Sequence, residues 1–167
     1  MKHTIRTIAL AALAFSLSAC APMFRQPPPP GAPLAEVTAR LGRPDAAYPE
    51  PDGGQVLEYR GQPMGQFQYM ARMSPDGRLL SYDQVLTSEN FAKVKVDHWT
   101  KADILRNFGQ PAETSAVAFH NYEVWSYRYK EAGVWNSMMH VHFDQQGVVR
   151  QMLNGPDPRY DDRFRRF

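Results

Sequence analysis

The chain has 167 residues, a single cysteine and a formal net charge of +2. At roughly 100–200 residues per domain, this allows one domain or two very small ones. An apolar fraction of 43% with 12% aromatics excludes a disordered chain. A mean hydropathy of -0.50 excludes a polytopic membrane protein. One cysteine excludes an internal disulfide framework and a paired-cysteine zinc or redox site.

Residues 1–19 read as a leader. Lys2 and Arg6 form a short positive start, and the apolar run from Thr7 through Leu17 is shorter than the ~20 residues of a spanning helix. It ends in Leu17-Ser18-Ala19-Cys20. This resembles a bacterial lipobox, in which cleavage precedes the cysteine and the cysteine is acylated; the alternative is a generic secretory signal with a chance cysteine. Acylation accounts for the lone thiol, since a free exposed cysteine sits badly in an oxidising periplasm. About three acyl chains exceed the two signals that stable anchoring takes. Ala21, where Asp would retain a lipoprotein at the inner membrane, implies the inner leaflet of the outer membrane. Lys2 and Arg6 leave with the leader, so the 19 basic residues fall to 17 against 17 acidic ones, and the charge gives no case for nucleic acid.

Residues 20–33 carry the lipidated Cys20 and a proline-rich tether, with six prolines among residues 21–33. Such a run enters neither a helix nor a central strand; as polyproline II it spans up to about 40 Å.

Residues 34–156 are written twice. The first copy, 34–86, opens on Glu36-Val37-Thr38-Ala39-Arg40-Leu41-Gly42-Arg43-Pro44. The second, 87–156, contains Asp103-Ile104-Leu105-Arg106-Asn107-Phe108-Gly109-Gln110-Pro111, and both its Gly and its Pro lie 67 residues after their counterparts. Each segment predicts a short amphipathic helix ended by a C′ glycine, with proline blocking continuation. Thr100 and Asp103 resemble a capping box. Leu86 to Val94 predicts a further short helix, capped by Thr87 or Ser88. Val56 to Arg60 answers Val124 to Arg128, Tyr69 to Met73 answers Met139 to Phe143, and Gly77 answers Gly147 in a hairpin turn. The expected fold class is α+β: two tandem small units, each with a short helix or helices packed on a three-stranded antiparallel sheet.

Period-two alternation puts Leu57 with Tyr59, and Trp125 with Tyr127 and Tyr129, on faces directed at the helices. The opposite faces carry Glu58, Arg60, Gln68, Arg72, Ser126, Arg128, Met138, His140 and His142, as expected of half-solvated antiparallel sheets. The tail, 157–167, mixes aspartates, arginines and aromatics and reads as a mobile end or a short docking segment.

The lipobox, Phe91-Ala92-Lys93-Val94, Thr100-Lys101-Ala102-Asp103-Ile104, Phe108-Gly109-Gln110-Pro111, Trp125-Ser126-Tyr127-Arg128-Tyr129 and Val141-His142-Phe143-Asp144 together resemble the SmpA/OmlA family, the BamE-like outer-membrane lipoproteins. The resemblance covers 87–156 well and 34–86 more weakly. It implies two helices on a three-stranded sheet, in a tandem arrangement similar to the β-lactamase-inhibitor-protein-like architecture. It also implies a partner in outer-membrane protein assembly or elsewhere in the envelope.

No nucleophile elbow, P-loop, HExxH or dinucleotide fingerprint is present. His140 and His142 project from one strand face and would bind zinc or copper only with a third ligand; the plainer reading is a solvated face. Arg and Met are enriched at interfaces, so Arg60, Arg72, Arg128, Met138, His140 and His142 are the candidate partner-binding residues. The expectation is a non-enzymatic, outer-membrane-anchored periplasmic scaffold that binds a protein. It takes no cofactor, metal, nucleic acid or small-molecule substrate. The alternatives are an inhibitor-type module presenting Ala46 to Asp52 to a periplasmic or extracellular enzyme, and a metal-binding envelope protein.

Overall fold

A computed structural model describes residues 26–161. The leader, Cys20 and residues 21–25 of the tether lie outside the described residues, as do residues 162–167 of the tail.

The first element of the described residues is helix α1 (Leu34–Leu41), followed by β1 (Ala46–Pro49), β2 (Gln55–Arg60), β3 (Gln68–Met73) and β4 (Leu79–Gln84). Two helices follow, α2 (Ser88–Phe91) and α3 (Lys101–Phe108). The second set of strands is β5 (Glu113–Val117), β6 (Tyr122–Glu131), β7 (Trp135–Phe143) and β8 (Val149–Pro156). Each set forms its own antiparallel meander, in the orders β1-β2-β3-β4 and β5-β6-β7-β8.

The helix ends follow from the sequence. In α3, the Thr100 side chain accepts from the Asp103 N–H while the Asp103 carboxylate accepts from the Thr100 N–H at 2.8 Å, a complete capping box. Thr87 caps α2 by accepting from the Asn90 N–H at 3.1 Å. Both longer helices stop at glycines with positive φ, +90° at Gly42 and +71° at Gly109. The repetition extends to details. Pro33 bridges to Arg78 and Thr100 to Val148, and the register slips at Arg72/Met73 and at His142/Phe143.

The fold class is corrected: among the described residues the protein is mostly β, with two four-stranded sheets and helices of only eight, four and eight residues. The strands missing from the sequence reading are the first of each sheet. β1 ends on Pro49 and β5 is the polar stretch Glu113–Val117, exposed along most of its length. Both are edge strands, which bury little and tolerate proline, so they carry no alternation signal.

A second correction concerns the faces. Sheet 1 packs its Leu57, Ala71 and Met73 side with Val37 of α1 in one apolar cluster. Its other side is also covered: Val56 and Met70 belong to a larger cluster with Phe91, Ile104, Phe108, Trp125, Tyr127 and Val141. Helices α2 and α3 therefore contribute to a core shared by both sheets, and sheet 1 is not half-solvated. Marginal units of ~60 residues gain a common core in this way. The end of the tether joins the fold as well, with Ala32 buried and the Gly31 N–H bonded to the Leu79 carbonyl at 2.7 Å.

Candidate functional site

The two sheets meet at a polar junction built on the C-terminus of α3. Glu58 is fully buried there. Its carboxylate accepts from the Tyr48 hydroxyl at 2.5 Å, from Gln68 Nε2 at 3.0 Å and from the Gln110 N–H at 3.2 Å. Gln68, also fully buried, donates to the Phe108 carbonyl at 2.7 Å. The Tyr127 hydroxyl donates to the Gly109 carbonyl at 2.8 Å. Burial, reinforced by Glu58, pushes the Tyr48 and Tyr127 phenols well above their ordinary value, so both act as neutral donors. A buried carboxylate survives only with such partners.

The junction continues through the loop after β2. Gln62 Nε2 donates to the Arg128 carbonyl at 2.6 Å, and its Oε1 accepts from the Arg128 N–H at 3.4 Å. Arg60 donates to the Pro111 carbonyl at 2.7 Å. The start of the tail is part of this structure. Asp157 is buried, its N–H donates to the Asn136 carbonyl at 2.9 Å, and Arg159 reaches the Pro63 carbonyl at 3.1 Å.

The candidate partner-binding residues scatter across this architecture. Arg128 is buried and ion-paired with Asp157 and Glu113. Met138, opposite it in register, and His142 are buried too. These three do not form an open platform. Arg60 is exposed beyond its Pro111 bond, and Arg72 is half-buried, paired with Glu50. Alternation alone assigns all of them to solvent; for Arg128 it does not see the tail crossing from β8 to bring Asp157 against the guanidinium.

His140 Nδ1 lies 2.8 Å from Ser126 Oγ. Burial lowers the affinity of His140 for a proton, against a smaller opposing pull from Glu113. His142 is lowered by burial and then by His140. The Tyr122 ring contacts both His120 and His142, with centroids at 5.3 and 6.3 Å. Among the described residues no group of three His, Cys, Asp or Glu side chains is placed to hold a metal. The stretch proposed for inhibition is no free loop: Ala46–Pro49 is strand β1, and the Tyr48 hydroxyl turns inward to Glu58.

Sequence reasoning missed the hairpin tip between β6 and β7. Ala132 and Gly133 both have positive φ, and the Val134 N–H closes the turn on the Glu131 carbonyl at 3.0 Å, in a short connection of residues 132–134 between the paired Glu131 and Trp135. The next two residues, Val134 and Trp135, are 65% and 70% exposed. A lone Trp beside a glycine turn was the available signal. The strands beneath are buried from Val124 to Tyr129 on β6 and at Ser137 and Met138 on β7, so the tip stands on a fixed stem.

No family model and no curated protein sequence matches the chain. Among solved structures it is similar to a DUF4309 family protein (YjgB) from Bacillus subtilis subsp. subtilis str. 168. The identity is 14% over 74% of this chain and 76% of that one, with a TM-score of 0.29, a likeness too low to bear on fold or function. Among the described residues no helix is long and apolar enough to cross a membrane.

Proposed function

We propose that the chain is an envelope lipoprotein, held at the outer membrane through Cys20, that binds a protein partner and performs no chemistry of its own. The observation that carries this reading is the exposed Val134–Trp135 pair on its buried stem. Trp is the residue type most enriched among interface hot spots, and a rigid presentation loses little entropy on binding. Anchoring at the membrane raises the local concentration of any envelope partner. By resemblance to the SmpA/OmlA lipoproteins, the partner class is outer-membrane protein assembly machinery or another envelope component. A protruding aromatic tip also suits the inhibitor alternative, in which the captured partner is an enzyme that loses activity.

The test is a pulldown from detergent-solubilised envelopes with wild type and a Val134→Asp/Trp135→Ala variant. Both side chains are exposed, so the variant keeps its fold. The reading expects at least one envelope protein to be lost from the variant's list; identical lists overturn the assignment.

A further inference from the structure

A second feature lies away from the hairpin tip. Between the inner face of sheet 1 and helices α2 and α3 is a cavity of about 440 Å³. That volume falls in the range of roughly 300–1,000 Å³ typical of small-ligand sites, which favour the boundary between structural units. Only three of its lining residues, Val85, Trp99 and Phe108, are apolar. A pocket for an apolar side chain would be lined the other way round.

The polar groups divide by what they have left to offer. Arg72 pairs with Glu50 through one guanidinium nitrogen, Nη1, leaving other N–H groups to donate. Lys93 donates to Asn90 Oδ1 at 2.7 Å and retains further ammonium hydrogens. Asn107 donates Nδ2 to the Asp103 carbonyl at 2.8 Å, which fixes its amide and leaves Oδ1 as an acceptor. Asp83 lines the same cavity. Trp99 is half-buried with its ring beside Phe108, centroids 6.4 Å apart. The site is therefore lined by an aromatic ring, two cationic donors and two acceptors.

We propose that this cleft binds a saccharide unit carrying a carboxylate. The C–H face of the sugar ring stacks on Trp99, Arg72 and Lys93 take the carboxylate, and Asp83 and Asn107 accept from ring hydroxyls. A neutral sugar leaves two cations unused. An acidic peptide of glutamates can donate N–H groups to the acceptors but brings no ring face to stack on Trp99. The cleft has no sequence motif because its residues come from β3, β4, the α2 region and α3.

The experiment is calorimetric titration of the full chain with uronate-bearing tetrasaccharides (hyaluronan, alginate and polygalacturonate), with neutral chitotetraose and with penta-glutamate. Binding of at least one uronate oligosaccharide is expected. Its affinity should fall about tenfold or more in Lys93→Gln, the loss expected for one charge-assisted hydrogen bond, and also in Trp99→Ala. Lys93 is exposed, so the first variant keeps its fold even if the second is destabilised. Absence of binding by all three uronates at about 10 mM, a concentration that detects even weak sites, overturns the proposal. So does unchanged affinity in Lys93→Gln, or preference for penta-glutamate or chitotetraose.

Discussion

Gln62 stands in for a strand beside Arg128: its side-chain amide takes both the N–H and the C=O of Arg128, at 3.4 and 2.6 Å. Pairing of β5 with β6 runs only from Glu113↔Ser126 to Val117↔Tyr122, so the edge of β6 beyond Ser126 needs another partner. A residue 66 positions earlier supplies it and ties the first sheet to the second. Gln62→Ala leaves two buried backbone groups unpaired and is expected to cost about 2–3 kcal/mol. Urea unfolding with an unchanged slope and a lower midpoint checks this.

The two glycine caps separate backbone strain from space. Both have positive φ, but a Cβ at Gly42 meets nothing within 4 Å, whereas at Gly109 it would lie 2.1 Å from Gln68 Nε2 and 2.8 Å from the Glu58 carboxyl carbon. Gly42→Ala should cost about 1–3 kcal/mol for conformation alone, since φ 90° with ψ -171° is a region that essentially only glycine adopts. Gly109→Ala adds overpacking and should cost about 1–3 kcal/mol more than Gly42→Ala. Equal losses for the two variants, measured by chemical denaturation, would contradict the junction at the end of α3.

Arg128 is an internal ion rather than a docking residue. It is 6% exposed between Asp157, itself 1% exposed, and Glu113. Arg128→Glu reverses a buried charge against two carboxylates and should destabilise by about 3–5 kcal/mol or prevent folding. Arg60→Glu loses the hydrogen bond to the Pro111 carbonyl but exchanges an exposed side chain, and should cost less, about 1–2 kcal/mol. Thermal melts of the two variants make the comparison.

Acid should weaken the protein in a defined window. Burial holds His140 and His142 below their ordinary value of 6.5, so between that value and the depressed folded ones the unfolded chain binds more protons. Stability is then full above pH 6.5, falls as pH drops through the interval and levels off below it. A His140→Gln/His142→Gln variant should lose this slope. Asp103 contributes at lower pH: burial pushes its carboxyl up, but the Thr100 N–H and hydroxyl and then Arg106 outweigh burial and hold it below 3.8.

Local features were legible in the sequence and tertiary ones were not. Thr100, Gly42, Gly109, Gly77 and Gly147 each act within a few residues of the chain and stand where spacing placed them, and of the two caps open for α2, Thr87 and Ser88, the structure takes Thr87. Edge strands β1 and β5 gave no pattern because their side chains face solvent or, like Tyr48, turn in to a single polar partner. Glu58 and Gln68 alternate as surface residues do. Only the docking of the α3 C-terminus onto that face buries them. The Trp99 cleft draws on five segments spread from Arg72 to Phe108, beyond any local reading.

The central claim is that the Val134–Trp135 tip meets a protein in the envelope. Its most direct test is in-cell photo-crosslinking, with a photoreactive amino acid at position 135 and, as control, at Leu80, which is 53% exposed on sheet 1. The account predicts a discrete adduct with an envelope protein from position 135 and none from position 80. No adduct from position 135, or the same adducts from both positions, would contradict it.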